Sequence, residues 1–164
     1  MSAGRPDIVE CWVYHEGAAG NLEYLLLHRA PGRIFVGLWQ CVTGRVDRDE
    51  RVPLAALREV EEETGLVQAD LEALYDLEQI ETFYDDDSDV LLRSMIFAVR
   101  ARPDAAPRLS TEHDGYRWAD REEAVRRSVW PAYRESINRI ERDLTDPERA
   151  RWLEVSFEGR RLAR

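Results

Sequence analysis

The sequence predicts a single-domain α+β protein in which helices pack on a mixed β-sheet. The chain has 164 residues and 44% hydrophobic content, which is the usual size of one domain and is enough to bury a core without disulfides. Along the chain, strand-like segments are followed by a helix, further strands and then further helices, an order typical of this fold class. No internal repeat or long linker divides the sequence, so we expect one domain over residues 1–164.

The first third of the chain predicts three strands. Ile8–Tyr14 is rich in β-branched and aromatic residues and partly alternates. A loop at Gly17–Asn21 follows, and Glu23–Arg29 then has a continuous apolar centre, which is typical of a strand buried on both faces. Leu38–Thr43 is predicted as the third strand, ending at Gly44.

The pattern changes to a helical period over Val52–Thr64. Pro53 suits the first turn of this helix, and Gly65 suits its C-terminal cap. At about 100° per residue, several small and apolar residues fall on one side, which should pack on the sheet. These residues are Ala56, Leu57, Val60 and Thr64.

Two long strands and one short strand follow this helix. The long strands are Leu71–Tyr84 and Val90–Arg100, joined by an acidic hairpin tip at residues 85–89. We interpret the tip as a solvated loop, because its spacing lacks the glycine and the terminal glutamate of a calcium-binding EF-hand loop. The short strand is Gly115–Trp118.

Three helices complete the predicted fold. Asp120 is placed to cap a helix that runs through Arg127. Pro131 begins a second helix, whose apolar residues recur at helical spacing as far as Leu144. Asp146 and the proline after it form the cap and first turn of a short last helix.

The basic residues are all arginine. The 23 Lys+Arg positions contain no lysine, which excludes lysine Schiff-base chemistry and a Walker A phosphate loop. A protein of this composition that handles phosphate must use arginine, backbone N–H groups or a metal ion.

The chain is strongly acidic, with a net charge of -10 at pH 7. This charge argues against general nucleic-acid binding, which depends on a basic surface. An acidic enzyme can still bind an anionic substrate if some of its carboxylates hold a divalent cation.

Cysteine usage and hydropathy indicate the compartment. Cys11 and Cys41 lie in apolar runs, so we expect two buried free thiols, in keeping with a reducing cytoplasm. No apolar run is long enough to span a membrane, and the N-terminus lacks a signal-peptide pattern. The sequence therefore predicts a cytoplasmic protein without a membrane partner.

The predicted helix at 52–64 carries an unusual group of carboxylates. Glu59, Glu62 and Glu63 stand at i, i+3 and i+4, and we expect them to form one stripe opposite the packing side. Arg58 can offset only part of their repulsion, whereas a hard divalent cation such as Mg²⁺ or Mn²⁺ could offset all of it. Considered alone, the triplet favours an exposed acidic helix face over a metal site.

The spacing around these glutamates is much more specific. Every defined position of the pattern G-x5-E-x7-R-E-U-x-E-E-x-G-U, with U aliphatic, is present, and a chance match is on the order of 10⁻⁹ per window. The matching residues are Gly44, Glu50, Arg58, Glu59, Val60, Glu62, Glu63, Gly65 and Leu66. The chain therefore resembles the Nudix hydrolases.

This resemblance implies a three-layer α/β/α sandwich with a mixed sheet and hydrolysis of a nucleoside diphosphate linked to another group. It also implies a metal site for Mg²⁺, with Mn²⁺ as the alternative ion. The implied ligands are Glu59, Glu62, Glu63 and the carbonyl of Gly44. Glu50 and Arg58 would form a supporting ion pair, and Gly65 would end the helix.

A second group of residues indicates one branch of this family. The segment 35–44, a Thr-Glu-His step at 111–113 and a Tyr-Arg-Trp step at 116–118 resemble the branch with dihydroneopterin triphosphate diphosphatase and dATP-type pyrophosphohydrolases. In that branch the glutamate of the Thr-Glu-His step, here Glu112, helps to bind metal or to activate water. The likeness covers about residues 5–142, and we expect 143–164 to be a helical extension. It departs from the family at residues 47–49, where a glycine often precedes the first glutamate of the pattern, here Glu50. Residues 44–66, which match this pattern, are called the box below.

From these residues we expect a Mg²⁺-dependent pyrophosphohydrolase that cleaves a nucleoside or pterin triphosphate to a monophosphate and pyrophosphate. Glu62 and Glu112 are both candidates for the general base, and Glu59 and Arg58 complete the catalytic set. Candidate phosphate contacts are Arg29, Arg33, Arg45 and Arg93. Candidate ring contacts are Trp39 and Tyr84, together with Phe35 and Phe83. For each arginine a surface role is at least as consistent with the sequence, and for most of the aromatic residues a core role is favoured.

Two other functions stay open. Tyr84 lies after the box in the region where dinucleoside polyphosphate hydrolases of the family tend to carry a tyrosine, so that substrate class, or another nucleoside diphosphate derivative, is the alternative. A non-catalytic nucleotide-binding module is disfavoured because every glutamate of the box is present. The predicted partner is a small nucleotide-like molecule, with no nucleic acid, and a homodimer is left open.

Overall fold

The structure is a computed structural model that describes residues 4–164. These residues form eight strands and four α-helices, with a short 3₁₀ turn at Gln68–Asp70. The strands are β1 (Ile8–Glu16), β2 (Leu22–Arg29), β3 (Trp39–Gln40), β4 (Val42–Arg45), β5 (Leu71–Asp85), β6 (Val90–Ala101), β7 (His113–Asp120) and β8 (Glu154–Val155). The helices are α1 (Val52–Thr64), α2 (Arg121–Arg127), α3 (Pro131–Arg139) and α4 (Pro147–Leu153).

All eight strands belong to one mixed sheet. The main path runs β3-β2-β1-β6-β5-β8, while β4 pairs with β1 and β7 pairs with β2. In the described residues β1 and β6 pair in parallel, and the other strand pairs are antiparallel. The α+β class and the α/β/α sandwich with a mixed sheet are therefore confirmed.

The first two strands diverge, and the chain segment after them fills the gap. β1 and β2 pair only where Tyr14 to Glu16 meets Leu22 to Tyr24. Farther from this hairpin, β3 pairs with β2 and β4 pairs with β1, with Cys41 at the step between them. The prediction of one continuous strand at 38–43 was therefore wrong, because this segment transfers from one diverging partner to the other.

Alternation along the strands divides the core into two layers. On one face, Cys11 and Val13 pack with Ala56 and Val60 of α1. On the other face, residues of β1 and β2 pack with the C-terminal helices. Both cysteines are fully buried and free, as expected. The buried core of this second layer includes Trp12, Tyr14, Tyr24, Leu26, Tyr133, Ile137 and Ile140.

The helix predictions at 52–64 and 121–127 are confirmed at both ends. Gly65 caps α1 in the left-handed region at φ 70°, and its N–H donates to the carbonyl of Glu61. Asp120 accepts a hydrogen bond from the N–H of Glu123, which is the expected N-cap of α2. Asp146 caps α4 in the same way, through the N–H of Glu148.

The C-terminal half departs from the sequence prediction in three places. β7 begins at His113, not Gly115, because it pairs with β2 along almost its whole length. α3 ends at Arg139 and continues as a wider π-type turn over Ile140–Leu144, so the predicted helix is not α-helical to its end. The last residues contain a helix but also β8, which pairs with β5.

Among the residues described, 4–164, the structure contains no helix with the length and apolar character needed to cross a bilayer.

Candidate active site

The three predicted metal glutamates lie on α1 at three different depths. Glu62 is exposed, Glu59 is half-buried and Glu63 is only 3% exposed. The prediction that they lie opposite the packing side was wrong for Glu63. At about 100° per residue, position 63 falls between position 59 and the buried Ala56, so its carboxylate points towards the sheet.

Gly44 brings the sheet close to this helix. It lies in β4 opposite Val9, and a Cβ at this position would stand 1.9 Å from the Cδ atom of Glu59. The Glu59 carboxylate therefore occupies the space that any other side chain at 44 would need. The structure thus places Gly44 and Glu59, both of which the family pattern specifies, in direct contact.

Arg58 connects the loop before α1 to the glutamates. Its Nε and Nη2 atoms donate to the two carboxylate oxygens of Glu50, at 2.8 and 3.0 Å. Nη1 donates to Glu59 at 2.7 Å and to Glu62 at 3.3 Å, and Nη2 also donates to the carbonyl of Arg45 at 2.9 Å. These hydrogen bonds hold the pKa of Glu50 below its usual value and raise that of Arg58.

Glu63 lies in an environment that is unfavourable for a free carboxylate. Burial is the main cause that raises its pKa to about 9, and the nearby charges of Glu112 and Glu59 add to this effect. Its Oε2 atom has no hydrogen-bond partner in the described residues. Burial also raises the pKa of Glu59, although Arg58 opposes this shift.

Glu112 reaches the same site from the loop before β7. Its backbone carbonyl accepts a hydrogen bond from the N–H of Ala30 at 3.0 Å, which fixes the loop beside the end of β2. Its Oε2 atom lies 3.8 Å from Nη1 of Arg29. The charges of Glu112 and Arg29 both act on Glu63. The structure thus brings together residues that are far apart in sequence.

This donor set fits a hard divalent cation. It offers carboxylate oxygens that repel one another, including one buried oxygen without a partner. Within residues 4–164 no three acidic, histidine or cysteine side chains converge as closely as a bound ion would require. Arg58 contacts two of the glutamates, Glu59 and Glu62, in this arrangement.

The arginines predicted to contact phosphate lie in different parts of the structure. Arg33 donates to the hydroxyl of Thr111 at 3.5 Å, so it lies beside the Glu112 loop. The backbone carbonyl of Arg45 is bound by Arg58, while its side chain is exposed. Arg93 instead donates to the carbonyl of Arg5, on the far side of β1.

The predicted ring contacts are in different surroundings. The Trp39 ring is covered by protein groups: the guanidinium of Arg127 lies 5.2 Å from its centroid and the ring of His28 lies 4.7 Å away. Tyr84 is 59% exposed near the tip of the β5–β6 hairpin, and its hydroxyl donates to Asp89 at 2.9 Å. No hydrogen bond joins Tyr84 to the box residues within the described part of the chain.

The sequence analysis did not predict two further features, the pairing of Phe35 with Trp130 and the burial of Glu10. Phe35 and Trp130 form an exposed edge-to-face pair with centroids 5.7 Å apart. Glu10 is buried in β1 with one carboxylate oxygen unpartnered, and burial raises its pKa to about 7. A signal for Glu10 was present, because it is a carboxylate inside an otherwise apolar strand. The contact between Phe35 and Trp130 had no local signal.

Comparison with known proteins identifies this arrangement. The family model described as the NUDIX domain matches residues 5–140. A curated octanoyltransferase of Myxococcus xanthus is 36% identical over 126 residues, which are 76% of this chain and 34% of the relative. The chain thus spans about a third of the length of the curated relative that it matches.

Solved structures share the fold. An Ap4A hydrolase of C. elegans, solved as a binary complex, has a TM-score of 0.70 at 21% identity, covering 86% of this chain and 98% of that one. The dihydroneopterin triphosphate pyrophosphohydrolase of E. coli has a TM-score of 0.68 at 23% identity, covering 87% and 97% of the two chains.

Proposed function

Because the chain belongs to the Nudix family of hydrolases that act on phosphoanhydride bonds, we propose that it is a Mg²⁺-dependent pyrophosphohydrolase of the cytoplasm. Its proposed substrate is a nucleoside or pterin triphosphate, which it cleaves to a monophosphate and pyrophosphate. The observation that carries this proposal is the buried Oε2 atom of Glu63, which lacks a hydrogen-bond partner and is acted on by the charges of Glu59 and Glu112.

The residues that would hold the cation are Glu59, Glu62 and Glu63, together with Glu112 and the carbonyl of Gly44. When bound, such a cation lowers the pKa of a water molecule and offsets charge on the diphosphate. Arg58 and Glu50 fix the position of α1 relative to the loop before it, through a two-point ion pair at 2.8 and 3.0 Å. This contact keeps the glutamates in place while charge develops on the substrate.

The proton of the attacking water needs an acceptor, and two carboxylates are available. Glu62 is exposed on α1, and Glu112 lies on the loop that Arg29 approaches to 3.8 Å. Arg29 and Arg33 border the same loop and could donate to phosphate oxygens. The exposed pair of Phe35 and Trp130 offers a surface on which a base or pterin ring could stack.

The first test is a phosphate-release assay over a panel of nucleotides, with and without Mg²⁺. We expect pyrophosphate from triphosphates in the presence of Mg²⁺ and loss of turnover when the cation is chelated. Nucleoside diphosphates released from dinucleoside polyphosphates would instead support the alternative substrate class. Binding without turnover of any substrate would contradict both proposals.

The second test replaces Glu62 with Gln and compares it with Glu61→Gln. Glu61 is the adjacent exposed glutamate at an undefined position of the box, so it is a matched control. Glu62→Gln should lower kcat by about 10² to 10⁴, the range for loss of a general base or metal ligand. Near wild-type turnover in Glu62→Gln, or an equal loss in Glu61→Gln, would contradict the assignment.

A further inference from the structure

A cavity of about 400 Å³ lies away from the candidate active site, between the start of α1 and the C-terminal segment. Apolar residues of the sheet lie at its base: Met95 is partly exposed, while Phe97 and Val155 are buried beneath the surface. The C-terminal segment that closes it lies beyond residues 5–140, which match the family model. The cavity is therefore built in part by chain that the family pattern does not include.

The walls of this cavity are basic in a protein whose net charge is -10. Four arginines line it against one aspartate among the described residues: Arg51, Arg160, Arg161, Arg164 and Asp76. A cleft lined by one sign of charge concentrates ions of the opposite sign, even when the rest of the molecule repels them.

Two of these arginines are held in place by protein acceptors. Arg51 donates to the carbonyl of Gly159 at 2.7 and 3.3 Å, which fixes the C-terminal segment beside α1. Arg161 donates to the buried Asp76 at 2.7 Å. Arg51 retains further N–H donors, because a guanidinium has five.

The start of α1 adds to the positive potential of the wall. Arg51 is the N-cap residue, it makes no side-chain cap hydrogen bond, and the first turn contains no acidic residue. The positive end of the helix dipole is therefore not offset by a local carboxylate. Pro53 of this turn lines the cavity beside Arg51.

We propose that this cavity binds a small phosphate that carries an organic group, with the phosphate against Arg51 and Arg160 and the organic group against Met95. Arginine forks suit phosphate oxygens, while the apolar base would leave a free inorganic ion without contact on that side. This site is separate from the box and does not depend on the proposed hydrolase function.

Adenosine monophosphate, inorganic phosphate and adenosine are the probes, titrated by calorimetry in EDTA. Without a divalent cation, the acidic box should repel phosphate, whereas the basic cavity should not. We expect adenosine monophosphate to bind at least about tenfold more tightly than either of its two parts. No binding in EDTA, or equal affinity for inorganic phosphate, would overturn the proposal.

Three arginine variants locate the binding. Arg160→Gln should weaken the binding of adenosine monophosphate by at least about tenfold, which corresponds to the loss of one charged contact. Arg126→Gln, on the exposed face of α2, and Arg29→Gln, at the box, should leave it unchanged. A loss in Arg29→Gln with full binding in Arg160→Gln would place the ligand at the box and overturn the proposal.

Discussion

Arg58 makes five hydrogen bonds, three to the chain segment before α1 and two to glutamates of α1 itself. Its partners are both oxygens of Glu50, one oxygen each of Glu59 and Glu62, and the carbonyl of Arg45. A lysine could keep the positive charge but could not reproduce the two-point contact with Glu50. The role of Arg58 therefore depends on its shape as well as its charge.

We predict that Arg58→Lys lowers the free energy of unfolding by about 2 kcal/mol, because hydrogen bonds between charged groups are lost in a partly buried place. Arg126→Lys on the exposed face of α2 is the control and should change stability by less than about 0.5 kcal/mol. Urea unfolding measures the free energy of unfolding of both variants and of the wild-type protein. Equal stabilities would show that charge alone is sufficient at position 58.

Gly44 is the second residue with a defined steric role. A Cβ atom at 44 would meet the Glu59 carboxylate at 1.9 to 2.4 Å, so the carboxylate would have to move. We predict that Gly44→Ala lowers kcat/KM by about 10², the usual effect of displacing a catalytic group by about 1 Å. Gly115→Ala in β7 is the control, since its Cβ would lie 3.9 Å from the nearest atom, in His28.

Circular dichroism and urea unfolding should show that Gly44→Ala keeps its fold. An active Gly44→Ala variant would mean that the position of Glu59 seen in the structure is not required. Equal losses in the two glycine variants would point instead to a general weakening of the sheet.

At the scale of elements, the turn that ends α1 has a strict backbone requirement. Gly65 adopts φ 70°, and a Cβ there would lie 3.2 Å from the carbonyl oxygen of Arg108. We predict that Gly65→Ala destabilises the protein by about 1 kcal/mol or more, because alanine disfavours this conformation. Gly65→Asn should cost less, since asparagine tolerates the left-handed region better. Thermal unfolding compares the stabilities of the two variants. A larger loss of stability in Gly65→Asn than in Gly65→Ala would contradict a backbone cause.

The divergence of β1 and β2 is the element-scale feature that creates the site. Because these strands separate after three residue pairs, β4 can lie beside β1 and bring Gly44 opposite Val9. The Arg45 carbonyl at the end of β4 is then within reach of Arg58 on α1. A single strand in place of β3 and β4 would not give this contact.

At the scale of the whole molecule, Glu10 links stability to pH. Burial raises its pKa from 4.5 to about 7 in the folded protein, so the folded state retains a proton that the unfolded state has already lost. The proton held by Glu10 contributes its full stabilisation below the unfolded-state pKa of 4.5. This stabilisation is lost as pH rises through the folded-state pKa of about 7.

We predict that the wild-type protein loses stability relative to Glu10→Gln between pH 5 and pH 8, by on the order of 2–3 kcal/mol. The comparison with Glu10→Gln removes the contributions of other groups, such as His113, whose pKa is lowered to about 4 by burial. Urea unfolding in metal-free buffer at the two pH values measures the difference. Parallel pH profiles of the two proteins would contradict the prediction.

The sequence by itself determined the elements whose causes are local. Helix α1, its glycine cap and the Asp120 cap were predicted because propensity, capping chemistry and periodicity act within a few residues. The box pattern also singled out Glu59, Glu62 and Glu63 on α1 and the pairing of Glu50 with Arg58. The strand ends were less certain, and Glu63 was placed on the wrong side of α1 although the helical angle already favoured the sheet side.

Only the tertiary structure decided features that depend on distant parts of the chain. The split of β3 from β4 follows from the divergence of two other strands, and β8 pairs because the C-terminal segment returns to β5. The approach of Glu112 to Glu63 joins the loop before β7 to helix α1. The contact of Phe35 with Trp130 and the arginine-lined cavity arise in the same way. Local sequence carries no record of such contacts, because packing of the whole chain brings their partners together.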